Sequence, residues 1–386
     1  MIRITGLLLI FAALGFAVQP PEYGLDSVAR GALNDALVIQ GMQEQELGFF
    51  KFWAVDSFFR LKVVERLLSR PLEVLPYVEG QGRFVQEHCR NQAGLVRHLY
   101  NEIDVRLERR DSTRLAAEIN AELKRKSASA GVEGVVNIIT AGFAVGKRYL
   151  DRALAKVPGH ELDILLGEAP GFWRDEGDTL ERSFSGRLHQ EFGRVYDTSR
   201  QVKSETLLAY ARKIDRRALA LSGLAVVSAV QRALEILKTA PGESLPAISV
   251  AGVRGEVVYY QESEWGRIIV GGDGDNVYET PAAVIVDLGG NDIYYNRAGG
   301  AVGILDYPFG VVIDLKGDDH YLSDRLFSQG SALFGCGVLF DLAGDDVYRG
   351  NHYTQGSAIF GTGLLYDAAG KDIYDAGFFA QGSGHY

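Results

Sequence analysis

Eight aspartates stand in four closely similar eight-residue segments in the last third of the chain. The segments read D-L-G-G-N-D-I-Y, D-L-K-G-D-D-H-Y, D-L-A-G-D-D-V-Y and D-A-A-G-K-D-I-Y. Each carries two aspartates five residues apart and a tyrosine two residues after the second. Paired carboxylates can bind a cation, cap a turn or act as acid and base in catalysis. The eight aspartates are Asp287, Asp292, Asp314, Asp319, Asp341, Asp346, Asp367 and Asp372.

The spacing of the four segments argues against catalysis. Their first aspartates lie 27, 27 and 26 residues apart. A fixed period in that range is the signature of one structural unit stacked on copies of itself. A reaction needs one special place, whereas every copy repeats these acids. We therefore expect the aspartates to be structural or to bind metal, and the sequence indicates no enzyme reaction.

Two roles for the aspartate pairs remain open. In a stacked array the same position in successive units lies about 4.8 Å apart, so the pairs would form rows of like charges that repel each other. Ca²⁺ would bridge such carboxylates, because it takes six to eight oxygen ligands. In the structural alternative, aspartates beside glycine bond the backbone of their own turns. The eight aspartates are thus candidate Ca²⁺ ligands and candidate turn caps.

The glycine-rich turns resemble a known calcium-binding repeat. Residues 271–278, which read G-G-D-G-D-N-V-Y, resemble the nonapeptide G-G-x-G-x-D-x-U-x of RTX proteins, and residues 289–294 are similar to its end. The resemblance implies Ca²⁺ held in turns between parallel strands. It covers about eight residues of each copy, and the copies lie 26 or 27 residues apart instead of nine. It therefore concerns the turns and not the β-roll of that family.

Each copy contains three short β-prone stretches separated by turns. The last two complete copies align from 329 to 348 and from 355 to 374, and a further copy opens at Gln381. Three strands of three to five residues with their turns fill about 26 residues, the size of one coil of a parallel β-helix. Such stacking predicts that Tyr348 lies over Tyr374. Because a bare terminal coil exposes sheet edges, we expect more chain or a partner beyond the last copy.

The first residues have the pattern of a secretory signal peptide. Arg3 precedes an apolar run over 4–16, and Gly15-Phe16-Ala17 is a small-x-small cleavage site. The run is short for a membrane span, which needs about 20 residues. We expect cleavage near Ala17, no transmembrane span afterwards, and a secreted, periplasmic or envelope location in a bacterium. With only Cys89 and Cys336, the chain is not a disulfide scaffold.

Helical spacing extends from about residue 26 to about residue 240. Apolar residues recur at three- and four-residue steps in segments 49–67, 95–107, 115–124, 132–154 and 207–237. The apolar stretch 218–230 is too short to cross a membrane, so it predicts a buried helix. Strand patterns begin after Pro241-Gly242.

The predicted architecture is an α+β multidomain protein with an N-terminal helical bundle and a C-terminal parallel β-solenoid. The predicted segments are a signal peptide at 1–17, an α-helical domain at 18–241, a β-rich cap at 242–286 and solenoid repeats at 287–386.

Charge narrows the class of partner. From Gly271 onward the chain carries 15 Asp and 1 Glu against 5 Lys or Arg, a net charge of −11, while the first 270 residues carry +1. Phosphate binding needs clustered Lys and Arg, so we expect no nucleic-acid partner. An acidic array favours cations or solubility. The predicted function is an exported structural or binding protein, with a glycan or another envelope protein as partner.

Two alternative functions remain open. Parallel β-helices often carry acidic clefts that cleave polysaccharides. Such a site needs a basic residue beside acids, and the candidate is Arg349, whose counterpart one copy later is Asp375. In the other alternative, the helical domain binds the partner and the solenoid is a spacer.

Overall fold

The computed structural model describes residues 25–48, 61–126, 129–168, 187, 190–192, 202–238 and 246–385. The predicted signal peptide at 1–17 and most of the predicted helical segment 49–67 lie outside the described residues. The chain divides into two compact units, Met1–Arg90 and Asn91–Tyr386. Secondary structure changes from helix to strand near residue 241, but the helices after Asn91 and all the strands belong to one unit.

The first unit contains three short α-helices. Asp26 begins the first of them by accepting a hydrogen bond from the Ala29 N–H at 2.7 Å, and Gly41 ends it at a φ of 66°. Among the described residues of this unit, Leu37 is the only buried one. The helices are α1 (Ser27–Gln40), α2 (Lys62–Ser69) and α3 (Val74–His88).

The second unit begins with six helices in the described segments. The predicted helical segment 95–107 is wrong at its end, because the helix stops at Glu102 and Asp104 has a φ of 62°. The predicted segment 207–237 is two helices, and the Asp215 side chain starts the second by accepting from the Ala218 N–H. The helices are α4 (Gln92–Glu102), α5 (Arg109–Leu123), α6 (Gly131–Leu154), α7 (Gly159–Glu168), α8 (Ser204–Ala211) and α9 (Arg216–Leu237).

Helices α6 and α9 form the centre of the helical layer. A Cβ at Gly142 would collide with the Cβ of Ala229, so glycine is required for the close approach of the two helices. The Ser222 hydroxyl of α9 donates to the Gly146 carbonyl of α6 at 2.8 Å. Within the described residues, α9 is the one helix long and apolar enough to cross a membrane, and 72% of its apolar window is buried inside the protein. It therefore fits the predicted buried helix.

Residues 246–385 form a β-solenoid of about three coils with a repeat of about 27 residues. Its strands lie in three sheets, parallel throughout except for the pairs β1–β4 and β2–β3. Sheet 1 contains β2 (Val257–Ser263), β3 (Gly266–Gly271), β5 (Val284–Asp287), β8 (Phe309–Asp314), β11 (Cys336–Asp341) and β14 (Thr362–Asp367). Sheet 2 contains β1 (Val253–Arg254), β4 (Val277–Tyr278), β6 (Ile293–Tyr294), β9 (His320–Ser323), β12 (Val347–Gly350) and β15 (Ile373–Asp375). Sheet 3 contains β7 (Ala301–Val302), β10 (Ala332–Leu333), β13 (Ala358–Ile359) and β16 (Gly384–His385).

Identical positions of successive coils lie in register, as the repeat predicts. On sheet 1, Asp341 pairs with Asp314 on one side and Asp367 on the other. On sheet 2, Tyr348 pairs with Tyr321 and Tyr374. The solenoid core is an aliphatic row from sheet 1 packed against a tyrosine row from sheet 2. The aliphatic row is Ile269, Ile285, Val312, Leu339 and Leu365.

Helices cover the outer face of sheet 1. The Phe143 ring of α6 contacts the Phe309 ring of β8 at 5.1 Å. A Cβ at Gly223 of α9 would collide with the Thr362 side chain of β14. Strands β5, β8 and β11 are consequently buried along their whole length, which explains their continuous apolar sequences. Helices and solenoid therefore share one hydrophobic core.

The repeat period is kept although the corners of the coils differ. The connection from sheet 2 to sheet 3 spans 7 residues after Tyr294 and 11 after Tyr321. The connection from sheet 3 to sheet 1 compensates, spanning 8 residues in the earlier coil and 4 in the later one. The longer one contains the loop 303–308. The four-residue loss at one corner and gain at another leave the aspartates in register.

Candidate metal centre

The first aspartate of each copy ends a strand of sheet 1 and caps its own turn. We call Asp287, Asp314, Asp341 and Asp367 the first row. In each, Oδ1 accepts a hydrogen bond from the backbone N–H two residues later, as in an Asx turn. The four donors are Gly289 at 2.8 Å, Lys316 at 3.1 Å, Ala343 at 3.2 Å and Ala369 at 3.2 Å. The structural role foreseen for these aspartates is therefore present.

The other oxygen of each first-row aspartate accepts from a tyrosine one coil earlier. We call Tyr278, Tyr294, Tyr321, Tyr348 and Tyr374 the tyrosine row. Their rings stack with centroids 4.6 to 4.9 Å apart, and Tyr348 lies over Tyr374 as predicted. The hydroxyl-to-Oδ2 pairs are Tyr278 to Asp287, Tyr294 to Asp314 at 2.6 Å, Tyr321 to Asp341 at 2.7 Å and Tyr348 to Asp367 at 3.1 Å. Both oxygens of every first-row aspartate are thus paired.

The glycine three residues after each first-row aspartate allows the turns to stack. Gly317 has a φ of 144°, which L-residues rarely adopt, and a Cβ there would collide with the Gly290 carbonyl oxygen. The same collision would occur between Gly344 and the carbonyl of Gly317. The glycine of the repeated segment is therefore required by the close approach of backbones.

The second aspartate of each copy bonds the neighbouring coil with one oxygen only. We call Asn276, Asp292, Asp319, Asp346 and Asp372 the second row. In each aspartate, Oδ1 accepts from the backbone N–H of the second-row residue one coil earlier. These four distances, from the N–H of Asn276, Asp292, Asp319 and Asp346, are 2.6, 2.7, 2.7 and 3.1 Å.

The other oxygen of the second row lacks a partner. Oδ2 of Asp292, Asp319 and Asp346 is buried and has no hydrogen bond, and the three residues have no exposed surface. A buried carboxylate oxygen without a partner is costly and is rare in native proteins. The second row therefore requires a proton or a cation at these oxygens.

Burial also shifts the titration of the second row. Loss of hydration raises the pKa of Asp292 to about 9, of Asp346 to about 8 and of Asp319 to about 7. The charge of Asp287 contributes further to the raised pKa of Asp292. Asp341 in the first row has a pKa raised by burial to about 6, because the Tyr321 hydroxyl favours its charged form. The second row thus holds protons at neutral pH unless a cation replaces them.

The first coil shows the same position without acids. Gly271 stands where later coils have a first-row aspartate, and Asn276 stands in the second row. The Asn276 Nδ2 donates to Asp287 Oδ2 at 3.2 Å and to the Tyr278 hydroxyl at 3.0 Å. An amide N–H therefore supplies the positive end where the later coils place a second carboxylate.

All eight predicted aspartates come together in three clusters. In each cluster one oxygen from every member lies within 4.8 Å of the others. The first two clusters are buried, and the third is partly buried because Asp367 and Asp372 lie in the last coil. This geometry is compatible with a metal ion and does not identify which one. The clusters are Asp287, Asp292 and Asp314; Asp319, Asp341 and Asp346; and Asp346, Asp367 and Asp372.

An exposed row runs beside the second row and makes a similar bond. We call Asp275, Asn291, Asp318, Asp345 and Lys371 the outer row. Here the side-chain oxygen accepts from the outer-row N–H one coil later, at 2.8 or 2.9 Å. These residues are exposed, so water reaches their remaining atoms. Asn291 makes the bond as well as Asp318 does, which shows that the bond does not need a charge.

Sequence reasoning missed the hydroxyls of the tyrosine row, which was expected only to stack. The signal was present, since a tyrosine follows the second aspartate by two residues in every copy. Arg349, the candidate for polysaccharide chemistry, is exposed, and its nearest recorded acid is Asp375 at 3.9 Å. The two cysteines, Cys89 and Cys336, are free thiols.

Comparison of the chain with protein-family models, curated proteins and solved structures finds no match. The resemblance of the turns to RTX repeats is therefore not confirmed by a family match, and the argument for function rests on the aspartate clusters.

Proposed function

We propose that the protein is an exported structural or binding protein whose solenoid holds Ca²⁺ in the second row. The observation that carries the proposal is the row of buried, unpaired Oδ2 atoms on Asp292, Asp319 and Asp346. Each lies in a cluster with at least two further carboxylates. A cation at these positions would pair every buried oxygen of the array.

The retention of charge in the second row supports a cation. Asparagine would make the same backbone bond, as Asn291 does in the outer row at 2.9 Å to the Asp318 N–H. Yet four successive coils keep an aspartate in the second row, and the coil with Asn276 also lacks the first-row acid. Acids therefore occur in pairs or not at all. Pairing is what a shared cation requires, because one carboxylate alone gives too few ligands.

Ligand chemistry favours Ca²⁺. The clusters of the described residues offer carboxylate oxygens alone, without nitrogen or sulfur, which is the donor set of hard cations. Three carboxylates supply up to six oxygens, and carboxylates bind Ca²⁺ through one or both oxygens in flexible geometry. Mg²⁺ demands near-ideal octahedral geometry and keeps several waters, which suits a buried cluster poorly.

Export gives the proposed sites a supply of the ion. Extracellular calcium modules bind at about 10⁻⁴ to 10⁻³ M, so they fill only where Ca²⁺ is abundant. In the cytoplasm the raised pKa values of the second row would favour protons instead. We propose that Ca²⁺ then stiffens a scaffold that displays its surface to a glycan or to another envelope protein.

Thermal unfolding of the full chain at pH 8 tests calcium binding. We expect Ca²⁺ to raise the melting temperature above that in chelator, and Mg²⁺ to raise it less. One site filled at 100 times its dissociation constant adds about 2.7 kcal/mol. Asp319→Asn should reduce the Ca²⁺-dependent rise, and Asp318→Asn, its exposed neighbour, should keep it. Equal melting temperatures in Ca²⁺ and chelator would refute calcium binding.

Export is tested separately by expressing the full chain in a bacterium and fractionating the cells. We expect the protein outside the cytoplasm with its first residue near Val18, measured by intact mass. Full-length protein confined to the cytoplasm would contradict export and leave the metal proposal standing.

A further inference from the structure

The three clusters are not equivalent, because two of them share a residue. Asp346 belongs both to the second cluster, with Asp319 and Asp341, and to the third, with Asp367 and Asp372. The first cluster shares no member with the others. Shared membership means that two ions, if both are bound, lie on either side of one carboxylate.

The Asp346 carboxylate is placed to serve two ions. It has no exposed surface, its Oδ1 accepts from the Asp319 N–H at 2.7 Å, and its Oδ2 has no partner. Successive coils lie about 4.8 Å apart, somewhat farther than the ions of two-metal sites, which are about 3.5–4 Å apart. A carboxylate has two oxygens with lone pairs on both, so one group can contact both ions.

We propose that Asp346 bridges two Ca²⁺ ions in a coupled two-ion site, while Asp287, Asp292 and Asp314 hold a third ion independently. The inference rests on the proposed calcium function and adds a stoichiometry and a coupling to it. Three ions are bound in total, and two of them depend on a single side chain.

Charge makes the coupled pair bind in two steps. The five carboxylates of the second and third clusters face two divalent ions, whereas two separate clusters would bring six. The ion that binds second therefore meets a carboxylate already shared and a neighbouring positive ion. Since Asp367 and Asp372 are only half-buried, the ion of the third cluster is the one that exchanges more readily with solvent.

Counting bound Ca²⁺ in the folded full chain at pH 8, by equilibrium dialysis and native mass spectrometry, tests the inference. We expect three ions in the wild type, two in Asp292→Asn and one in Asp346→Asn. Asp318→Asn, in the exposed outer row, is the control and should keep three. Asn276 in the first coil shows that the second row accepts asparagine, and circular dichroism checks the fold of each variant.

The outcomes separate the inference from the function it rests on. Two ions in folded Asp346→Asn would overturn the bridge and leave calcium binding intact. No ion in the wild type would refute the proposed function itself. If Asp346→Asn does not fold, Asp372→Asn replaces it, because it removes the third-cluster ion only. The ion left in the second cluster should then bind at least about fivefold more tightly, and an unchanged affinity would overturn the coupling.

Discussion

The first and second rows of the solenoid contain the same side chain in two different states. Both are buried, and within each copy the two aspartates stand five residues apart. First-row aspartates have both oxygens paired, one by a turn N–H and one by a tyrosine hydroxyl, as in Asp314. Second-row aspartates such as Asp319 have one oxygen paired and one orphaned.

The difference separates a structural role from a binding role. A fully paired carboxylate holds the turn in any solution, because its partners belong to the protein. A half-paired carboxylate is complete only when the solution supplies a proton or a cation. The stability conferred by the first row should therefore be constant, whereas that of the second row should depend on pH and Ca²⁺.

The largest expected effect comes from removing a first-row aspartate. Asp314→Ala leaves the Lys316 N–H and the Tyr294 hydroxyl buried without their acceptor. Each unpaired buried donor costs about 1–3 kcal/mol, so we expect a loss of about 2–5 kcal/mol in unfolding free energy. Urea denaturation should show this loss equally in Ca²⁺ and in chelator. A loss seen only in Ca²⁺ would mean that the first row also acts mainly through metal.

A smaller effect is expected when a first-row aspartate is converted to the half-paired state. Tyr321→Phe removes the hydroxyl that donates to Asp341 Oδ2 at 2.7 Å and keeps the stacked ring. A hydrogen bond to a charged group contributes about 1.5–3 kcal/mol, and we expect a loss of that size in chelator by urea denaturation. If Ca²⁺ reduces the loss, the orphaned oxygen has become a ligand. No loss at all would contradict the pairing of the first row.

The pH dependence of the metal-free protein should reveal the second row. Its folded pKa values lie above the ordinary aspartate value of 3.8, at about 7 for Asp319, about 8 for Asp346 and about 9 for Asp292. The folded state therefore holds protons that the unfolded state releases, so stability is lost as pH rises from about 4 through these values. We expect the melting temperature in chelator to fall between pH 6 and pH 9.

Calcium should reverse that fall, since the ligands must be deprotonated and metal affinity rises with pH. The Ca²⁺-dependent rise in melting temperature should be larger at pH 8.5 than at pH 6. A metal-free melting temperature that increases between pH 6 and pH 9 would contradict the orphaned carboxylates. The scan is run on the full chain with Asp319→Asn as the matched variant, whose fall should be shallower.

The smallest effect is expected in the second row without metal. Asp319→Asn keeps an oxygen that accepts from the Asp292 N–H and removes the buried charge. We expect its unfolding free energy in chelator at pH 8 to equal or exceed that of the wild type, and its exposed neighbour Asp318→Asn to differ by no more than about 0.5 kcal/mol. A loss of several kcal/mol in Asp319→Asn would show that the carboxylate is structural after all.

The period and the register could be predicted from sequence, because a repeat states its own geometry. Asp287, Asp314, Asp341 and Asp367 stand at equal steps, and equal steps require stacked coils. The stack of Tyr348 over Tyr374 follows from the same rule. Proximity of the eight aspartates was therefore foreseeable before any coordinate was known.

The pairing of individual oxygens could not be predicted in that way. That Tyr294 reaches an aspartate of the following coil, and Asp319 an N–H of the preceding one, depends on strand twist and corner shape. The exchange of four residues between two corners beside the loop 303–308 is equally hidden, because the total period does not change. The helical cover on sheet 1 was missed for another reason: continuous apolar strands fit a core strand of any kind.

The most direct test of the central claim is an anomalous difference map from crystals of the full chain grown with Ca²⁺ at pH 8. The account predicts peaks inside the three aspartate clusters, with second-row Oδ2 atoms at about 2.3–2.6 Å from the ions. The orphaned oxygens of Asp292, Asp319 and Asp346 would then be ligands. Absence of peaks, with carboxyl groups of the two rows hydrogen-bonded to each other through shared protons, would contradict it.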